Sequence, residues 1–211
     1  MKVLLQLLLC LCATALDARA QDGLAGKALI DALRQGGYTI YFRHAATDWT
    51  REDRVSKQGD WKSCDPGEMR QLSTEGRVVA RRIGDAIRRL DLPIGRILAS
   101  EYCRTRETAQ LMDIGPVTPT PMVMNMLAAD YVGGREAVID RARQALATPP
   151  RVGTNTVIVA HGNLMRAASG AYAGEAGAVV FAPRGDGKFH LVARLAPEDW
   201  ERLARDFPQG E

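Results

Sequence analysis

Two of the three histidines stand directly after short apolar runs that are typical of buried strands. Arg43 and His44 follow the first such run, Arg104 comes shortly after the second, and His161 follows the third. The carboxyl ends of parallel strands meet at one edge of a sheet, where sites of such folds lie. The sequence therefore predicts that two histidines and two arginines share one site.

Converging cations repel one another unless an anion joins them, so this set points to chemistry on an anion. The guanidinium forks of Arg43 and Arg104 can hold the nonbridging oxygens of a phosphoryl group. His44, kept neutral by the surrounding positive charge, can attack phosphorus with a ring nitrogen. His161 can donate to the equatorial oxygens in the transition state. Water would then hydrolyse the phosphohistidine, and no metal ion is required. His190, on a predicted hairpin strand, is expected to be structural.

The elements that must position these residues alternate between strands and helices. Strands are predicted over 38–42, 94–99, near 122–126, over 156–160 and in a hairpin within 179–195. Helices are predicted over 24–34, 73–90, 100–112 and 135–147, from 164 and from 197, and 48–71 is predicted to be a long loop. This alternation predicts one α/β domain, a three-layer sandwich whose mostly parallel central sheet is covered by helices on both faces.

The motifs around these residues resemble the histidine phosphatase superfamily, in the branch related to phosphoglycerate mutase. The family's Arg-His-Gly motif reads Arg-His-Ala at 43–45, and its helix start Leu-Thr-x-x-Gly reads Leu-Ser-Thr-Glu-Gly at 72–76. Its Ser-x-x-x-Arg-x-x-x-Thr-Ala segment is present at 100–109, and its second-histidine motif reads Val-Ala-His-Gly at 159–162.

The resemblance spans about residues 38–170, with the four motifs in the family's order. It implies a metal-independent phosphatase without a cofactor, with His44 and His161 as catalytic residues. It also implies that Arg43, Arg104, His161 and Thr47 bind the phosphate. The segment from Gly174 to Trp200 resembles a secreted subgroup of small phosphatases.

Two departures from the family pattern concern Ala45 and the general acid. Ala45 replaces the motif's glycine, which would cost about 1 kcal/mol if the backbone there needed a positive φ. Position 163 is Asn, where the phytase-like branch has a catalytic Asp. Asp130 lies nearest the position of the mutase-like acid and is the expected proton donor, with Glu136 as the alternative. A simple turn role for Asp130 is equally consistent with the sequence.

The N-terminus has the features of a cleavable signal peptide. Lys2 precedes a short apolar run, and Ala18 and Ala20 provide small residues at the −3 and −1 positions. Cleavage after Ala20 would leave 21–211 as the phosphatase-like domain, periplasmic or secreted, with no stable membrane anchor. It removes Lys2, Arg19 and Asp17, so the formal charge falls from +3 to +2. A net charge this small does not indicate a nucleic-acid-binding protein.

Cleavage would also leave Cys64 and Cys103 as the remaining cysteines. In an oxidising compartment an isolated pair predicts a disulfide, with two unrelated buried thiols as the alternative. Neither cysteine belongs to a CxxC or Cys/His cluster, so no metal site is predicted.

These observations favour an extracytoplasmic phosphomonoester hydrolase that forms a phosphohistidine on His44. The expected substrate is a small phosphorylated molecule, and a phosphosugar or an envelope glycan would suit the compartment. A phosphomutase would share the intermediate, but export argues against it. An inactive phosphate- or glycan-phosphate-binding module on the same fold is a third hypothesis, favoured if Asp130 and Glu136 both point away from the pocket.

Overall fold

The computed structural model describes residues 23–209, so the expected signal peptide at 1–20 lies outside the described residues. The α-helices in order are α1 Gly26–Gln35, α2 Thr74–Arg89, α3 Cys103–Met112, α4 Arg135–Ala147, α5 Gly162–Ser169 and α6 Pro197–Asp206. The strands are β1 Thr39–Arg43, β2 Ile94–Ser100, β3 Val117–Thr120, β4 Asn155–Ala160, β5 Ala178–Gly185 and β6 Lys188–Leu195. Between 23 and 209, no helix is both long enough and apolar enough to cross a membrane.

The strands form one sheet in the order β3-β2-β4-β1-β5-β6. The first four strands in this order pair in parallel, and β5 and β6 add an antiparallel hairpin beside β1. Side chains of β4 alternate between two apolar cores, with Val157 and Val159 in one and Ile158 in the other. A strand covered on both faces reads as a continuous apolar run. The structure confirms the α/β class and the mostly parallel sheet.

Helix α2 begins where the capping residue predicts. The Ser73 side chain accepts a hydrogen bond from the Gly76 N–H at 3.0 Å, the usual role of a serine N-cap. The Ser73 N–H donates to the carbonyl of Ala46 at 2.9 Å. A Cβ on Gly76 would lie 2.1 Å from that same carbonyl oxygen. Only glycine therefore lets the helix start pack against the loop that follows β1.

The third strand lies earlier in the chain than predicted. The expected strand near 122–126 is wrong, because β3 is Val117–Thr120 and a 3₁₀ helix, Pro121–Val123, follows it. As an edge strand, β3 tolerates Pro119, whose missing N–H costs no ladder bond on the open side. The Thr120 hydroxyl accepts from the Met122 N–H at 3.2 Å and starts the 3₁₀ turn. Asp130 consequently lies well beyond the strand end, in another 3₁₀ helix, Met126–Tyr131.

The segment 48–71 contributes a single 3₁₀ turn, Asp60–Lys62, and is otherwise irregular, as expected. A disulfide between Cys64 and Cys103, with 5.3 Å between their Cα atoms, attaches this segment to the first residue of α3. The predicted pairing of the two cysteines is thus present in the structure. Trp61, in this 3₁₀ turn, is buried and donates its indole N–H to Glu101 at 2.9 Å.

Candidate active site

His44 lies directly after β1 and is 3% exposed. Its Nδ1 is 2.9 Å from the carbonyl oxygen of Ala45. A carbonyl can only accept, so Nδ1 carries the ring proton and Nε2 keeps its lone pair. Burial lowers the pKa of His44 well below its usual range, and the positive charges of Arg104, Arg43 and Arg70 lower it further. The ring is therefore neutral, with Nε2 available as a nucleophile.

His161 follows β4 and is 1% exposed. Its ring centroid lies 5.6 Å from that of His44. Nδ1 is 3.0 Å from the Asn125 amide nitrogen, and Nε2 is 2.9 Å from the Ser100 hydroxyl. Burial lowers the pKa of His161 well below its usual range, and Arg104 and His44 contribute in the same direction.

The tautomer of His161 follows from the bonds of Asn125. The Asn125 carbonyl oxygen accepts from the Leu127 N–H at 2.9 Å and from the Asn163 amide at 2.8 Å. The Asn125 amide nitrogen is therefore the donor to His161 Nδ1, and the His161 Nε2–H donates to Ser100. Both ring nitrogens of His161 have protein partners, so donation to a phosphoryl oxygen would require the Nε2–H to leave Ser100.

Arg104 lies in the first turn of α3 and is 1% exposed. Its Nη1 and Nη2 each lie 2.8 Å from one carboxylate oxygen of Asp53, whose side chain is 8% exposed. Its Nε is buried, with no hydrogen-bond partner in the described part of the chain. The guanidinium fork expected to hold a phosphoryl group is thus engaged by Asp53. The charge of Arg104 acts on His44 and His161 from this position.

Arg43 and Thr47 meet at Glu175. Arg43 donates from Nη1 to the Tyr172 hydroxyl, and its Nη2 lies 3.6 Å from Glu175. The Thr47 hydroxyl donates to Glu175 at 3.0 Å, and the Trp49 indole donates to the other oxygen of that carboxylate at 3.4 Å. The structure therefore places Thr47 as a support for Glu175.

A cavity of about 460 Å³ opens above the two histidines. Four arginines line it, together with aromatic and amide side chains and the start of α5: Arg43, Arg70, Arg135, Arg166, Trp49, Tyr172, Asn125, Asn163 and Gly162, besides His44 and His161. Within residues 23–209, no carboxylate belongs to this lining. Asp130 and Glu136 are both exposed and lie outside it. The structure thus brings together Arg43, His44 and His161, with Arg104 behind them, and leaves out both expected proton donors.

Ala45 fits the backbone without strain. It is not among the described residues that have a positive φ, and its N–H donates to the Thr108 hydroxyl at 3.1 Å. Glycine's conformational freedom is therefore not needed at this position. His190, the third histidine, lies on β6 and pairs with Arg184, whose Nε donates to its Nδ1 at 3.1 Å.

Sequence reasoning missed Arg70, Asp53, Asn125 and Ser100 as site residues. Arg70 enters the cavity from the irregular segment, with its guanidinium 3.8 Å from the centroid of the Trp49 ring. Nothing periodic in 48–71 distinguishes Arg70 or Asp53 from other charged residues there. Ser100 stands at a strand end and begins the Ser-x-x-x-Arg-x-x-x-Thr-Ala motif, and that position is the signal that could have identified it. In the part of the chain that the structure describes, no three His, Cys, Asp or Glu side chains form a group that could hold a metal ion.

Solved structures that are similar to this one in fold include three phosphatases. The protein histidine phosphatase SixA complexed with tungstate has a TM-score of 0.56 at 15% identity, covering 77% of this chain and 98% of SixA. The mycobacterial glucosyl-3-phosphoglycerate phosphatase has a TM-score of 0.55 at 18% identity, with 75% and 99% covered. A phosphoserine phosphatase mutant from Entamoeba histolytica, in complex with phosphoserine, has a TM-score of 0.51 at 14% identity, with 77% and 98% covered. At these identities the likeness shows the fold.

No curated protein matches the chain in sequence. The family model of the histidine phosphatase superfamily (branch 1) matches residues 40–131, which include the first arginine-histidine pair and the second arginine. Together with the fold and the T-shaped pair of histidines at the sheet edge, this match makes the chain similar to the histidine phosphatase superfamily.

Proposed function

We propose that the protein is a phosphomonoester hydrolase that forms a phosphohistidine on His44. The observation that carries the proposal is the hydrogen bond from His44 Nδ1 to the Ala45 carbonyl at 2.9 Å, which leaves Nε2 unprotonated. Burial and three arginines keep the ring neutral by lowering its pKa. A neutral, oriented imidazole in a cationic cavity is suited to attack on a phosphate ester.

The reaction divides into two displacements. His44 Nε2 forms a bond to phosphorus as the bond to the ester oxygen breaks, and that oxygen leaves with the electron pair. Arg43 and Arg70 neutralise the oxygens of the transferred group. The first N–H groups of α5, at Gly162 and Asn163 on the cavity wall, add donors. Water then attacks phosphorus, phosphate leaves, and Nε2 regains its lone pair.

The proton for the departing oxygen has no carboxylic acid source among the described cavity residues. The proposed hydrolase therefore favours esters whose leaving oxygen is weakly basic and departs without a full proton transfer. The position of Asp130 and Glu136 outside the cavity lining supports this preference.

The proposed setting is extracytoplasmic, either periplasmic or secreted. The signal-peptide features of 1–20 and the disulfide between Cys64 and Cys103 support export to an oxidising compartment. The proposed substrate is a small phosphorylated molecule, with a phosphosugar or an envelope glycan as the first choices. Two proteins with this fold support a small phosphorylated substrate: one is a glucosyl-3-phosphoglycerate phosphatase, and the other is a phosphoserine phosphatase mutant in complex with phosphoserine.

A second candidate is a phosphate-binding module that does not turn over its ligand. The exposed positions of Asp130 and Glu136, both outside the cavity lining, are the observation that favours it. A nitrophenyl phosphate separates the two hypotheses, because its anion leaves without a proton. Steady release of nitrophenol supports the enzyme. Binding of tungstate or phosphate without turnover supports the module.

The decisive experiment is rapid-quench labelling with a ³²P-labelled phosphoester. Wild type should carry acid-labile, alkali-stable label, and His44→Ala should carry none and release no phosphate. His190→Ala, a histidine on β6, is the matched control and should label as wild type does. Label that persists on His44→Ala, or normal turnover by that variant, would refute the mechanism. Transfer of label to an added alcohol in preference to water would indicate a phosphomutase.

A further inference from the structure

The cavity above His44 extends beyond the space that one phosphoryl group needs. Its volume is about 460 Å³, within the range of pockets that enclose a whole small molecule. The histidines at one end are buried, and Arg135 and Arg166 are exposed. Arg135 is the first residue of α4 and Arg166 lies on α5. The cavity thus has a reacting end and a separate, positively charged mouth.

The positive charges around the cavity are only partly balanced by carboxylates of the protein. Asp53 pairs with Arg104, and Glu175 lies 3.6 Å from Arg43. Across residues 23–209, Arg70, Arg135 and Arg166 have no ion-pair partner. Burial and the positive charge of Arg104 lower the pKa of Arg70, and the carboxylates of Asp53 and Glu175 offset only part of that shift. A phosphoryl group on His44 would occupy Arg43 and Arg70, and the two arginines of the mouth would remain uncompensated.

Tyr172 connects the two ends. Its hydroxyl accepts from Arg43, and the Arg166 guanidinium lies 4.5 Å from the centroid of its ring. A Cβ on Gly162 would lie 3.0 Å from both Arg43 and Tyr172, so the missing side chain allows this close packing. Stacking on an aromatic face orients a guanidinium and lowers the entropy that it loses on binding. Arg166 is therefore held in place before a ligand arrives.

We propose that Arg135 and Arg166 bind a second oxyanion of the substrate, a carboxylate or another phosphate. The preferred substrate would then be a small phosphomonoester that carries a further acidic group. This inference rests on the proposed function, because it takes the reacting phosphoryl group to lie at His44. The second group would be held by charge-assisted hydrogen bonds, which guanidinium forms well with either oxyanion.

The test measures binding without turnover. Phosphonates cannot be hydrolysed, so calorimetry on the full chain compares 3-phosphonopropionate, 4-phosphonobutyrate and 5-phosphonopentanoate with their neutral amides. We expect at least one acid to bind about tenfold more tightly than its amide, the gain typical of a charge-assisted bond. In the double variant Arg135→Gln/Arg166→Gln this ratio should fall to about one. Arg151→Gln, an exposed arginine before β4 at the other end of the sheet, should keep the wild-type ratio.

Alkane diphosphonates of the same lengths show whether the second group is a carboxylate or a phosphate. Tighter binding of the diphosphonate than of the phosphonocarboxylate of equal length indicates a phosphate, and the reverse order indicates a carboxylate. Equal affinity of acid and amide at every length would overturn the proposal, as would a ratio that the double variant leaves unchanged. Nitrophenyl phosphate hydrolysis is measured on the same protein. Absent hydrolysis with a preserved acid-to-amide ratio would refute the hydrolase and leave the second site standing.

Discussion

The guanidinium of Arg104 donates two hydrogen bonds of 2.8 Å to the carboxylate of Asp53. Asp53 also accepts the backbone N–H of Arg70 at 3.0 Å. One carboxylate from an irregular segment therefore fixes the second arginine of the family motif and the backbone of a cavity arginine. Arg104 in turn contributes to lowering the pKa of both site histidines. The segment 48–71 thus shapes the electrostatics of the site from outside the sheet.

Removing this carboxylate should be costly. In Asp53→Asn the charge of Arg104, which is 1% exposed, loses its partner. Breaking a buried pair from one side typically costs about 3–5 kcal/mol. We expect the free energy of unfolding in urea to fall by about that amount. Glu107→Gln, which breaks the half-exposed pair with Arg77, is the control and should cost under about 1 kcal/mol. An equally small fall in the free energy of unfolding in both variants would show that Asp53 and Arg104 do not form a buried ion pair.

The histidines should make stability depend on pH. The pKa values of His44 and His161 are lowered in the folded protein by burial and by nearby arginines. Below the unfolded pKa of about 6.5, the unfolded chain therefore binds protons that the folded chain does not. The two histidines therefore contribute fully to the free energy of unfolding above that pH. Their contribution is lost as the pH falls, at up to about 1.4 kcal/mol per pH unit for each histidine.

Urea titrations between pH 5 and 8 check this slope. The variants His44→Gln and His161→Gln should each flatten it, while His190→Gln, which replaces a partly exposed histidine, should change it less. A slope in wild type that both site variants leave unchanged would show that other groups are responsible.

The disulfide should stabilise the protein by restricting the conformations of the unfolded chain. Cys64 and Cys103 are 39 residues apart, so the chain-entropy model gives about 4 kcal/mol, which strain usually reduces. Cys64→Ser/Cys103→Ser should lower the urea midpoint, and wild type treated with dithiothreitol should unfold at the same midpoint. Non-reducing mass spectrometry of the purified protein should show no free thiol at these positions. Two free thiols would refute the pairing.

Leaving-group dependence tests the role of Asp130. Because Asp130 and Glu136 are exposed and outside the cavity lining, we expect Asp130→Asn and Glu136→Gln to leave unchanged the ratio of kcat/KM for an alkyl phosphate to that for nitrophenyl phosphate. Asp140→Asn, an exposed residue of α4, is the control. A selective slowing of the alkyl ester by Asp130→Asn would establish it as the proton donor after all.

The parts of the fold that sequence predicted well have strong local signals. The apolar run of β4 and the serine cap of α2 appear within a residue or two of the predicted positions. The third strand was misplaced because Pro119 argues against a strand, and an edge position is a tertiary property that makes proline tolerable. That error moved the expected strand end toward Asp130.

The site residues also divide into those that local sequence signals predict and those that they do not. His44 and His161 could be predicted because each follows a recognisable strand, and Arg43 because it directly precedes His44. Asp53 and Arg70 could not, because their segment has no periodicity and is positioned by the Arg104 pair and the disulfide. The bonds of His161 depend on Asn125, which lies in the stretch where the strand was misplaced.

The contact between Gly76 and the Ala46 carbonyl has a consequence for how the sequence can vary. A side chain at position 76 would have to displace an oxygen that lies 2.1 Å from its Cβ, and with it the loop that carries His44. Gly76→Ala would therefore disturb the position of His44 through the start of α2, although Gly76 itself does not line the cavity. Substitutions in the two segments are epistatic: a change in the loop after β1 is tolerated only when its backbone path still clears the first turn of α2.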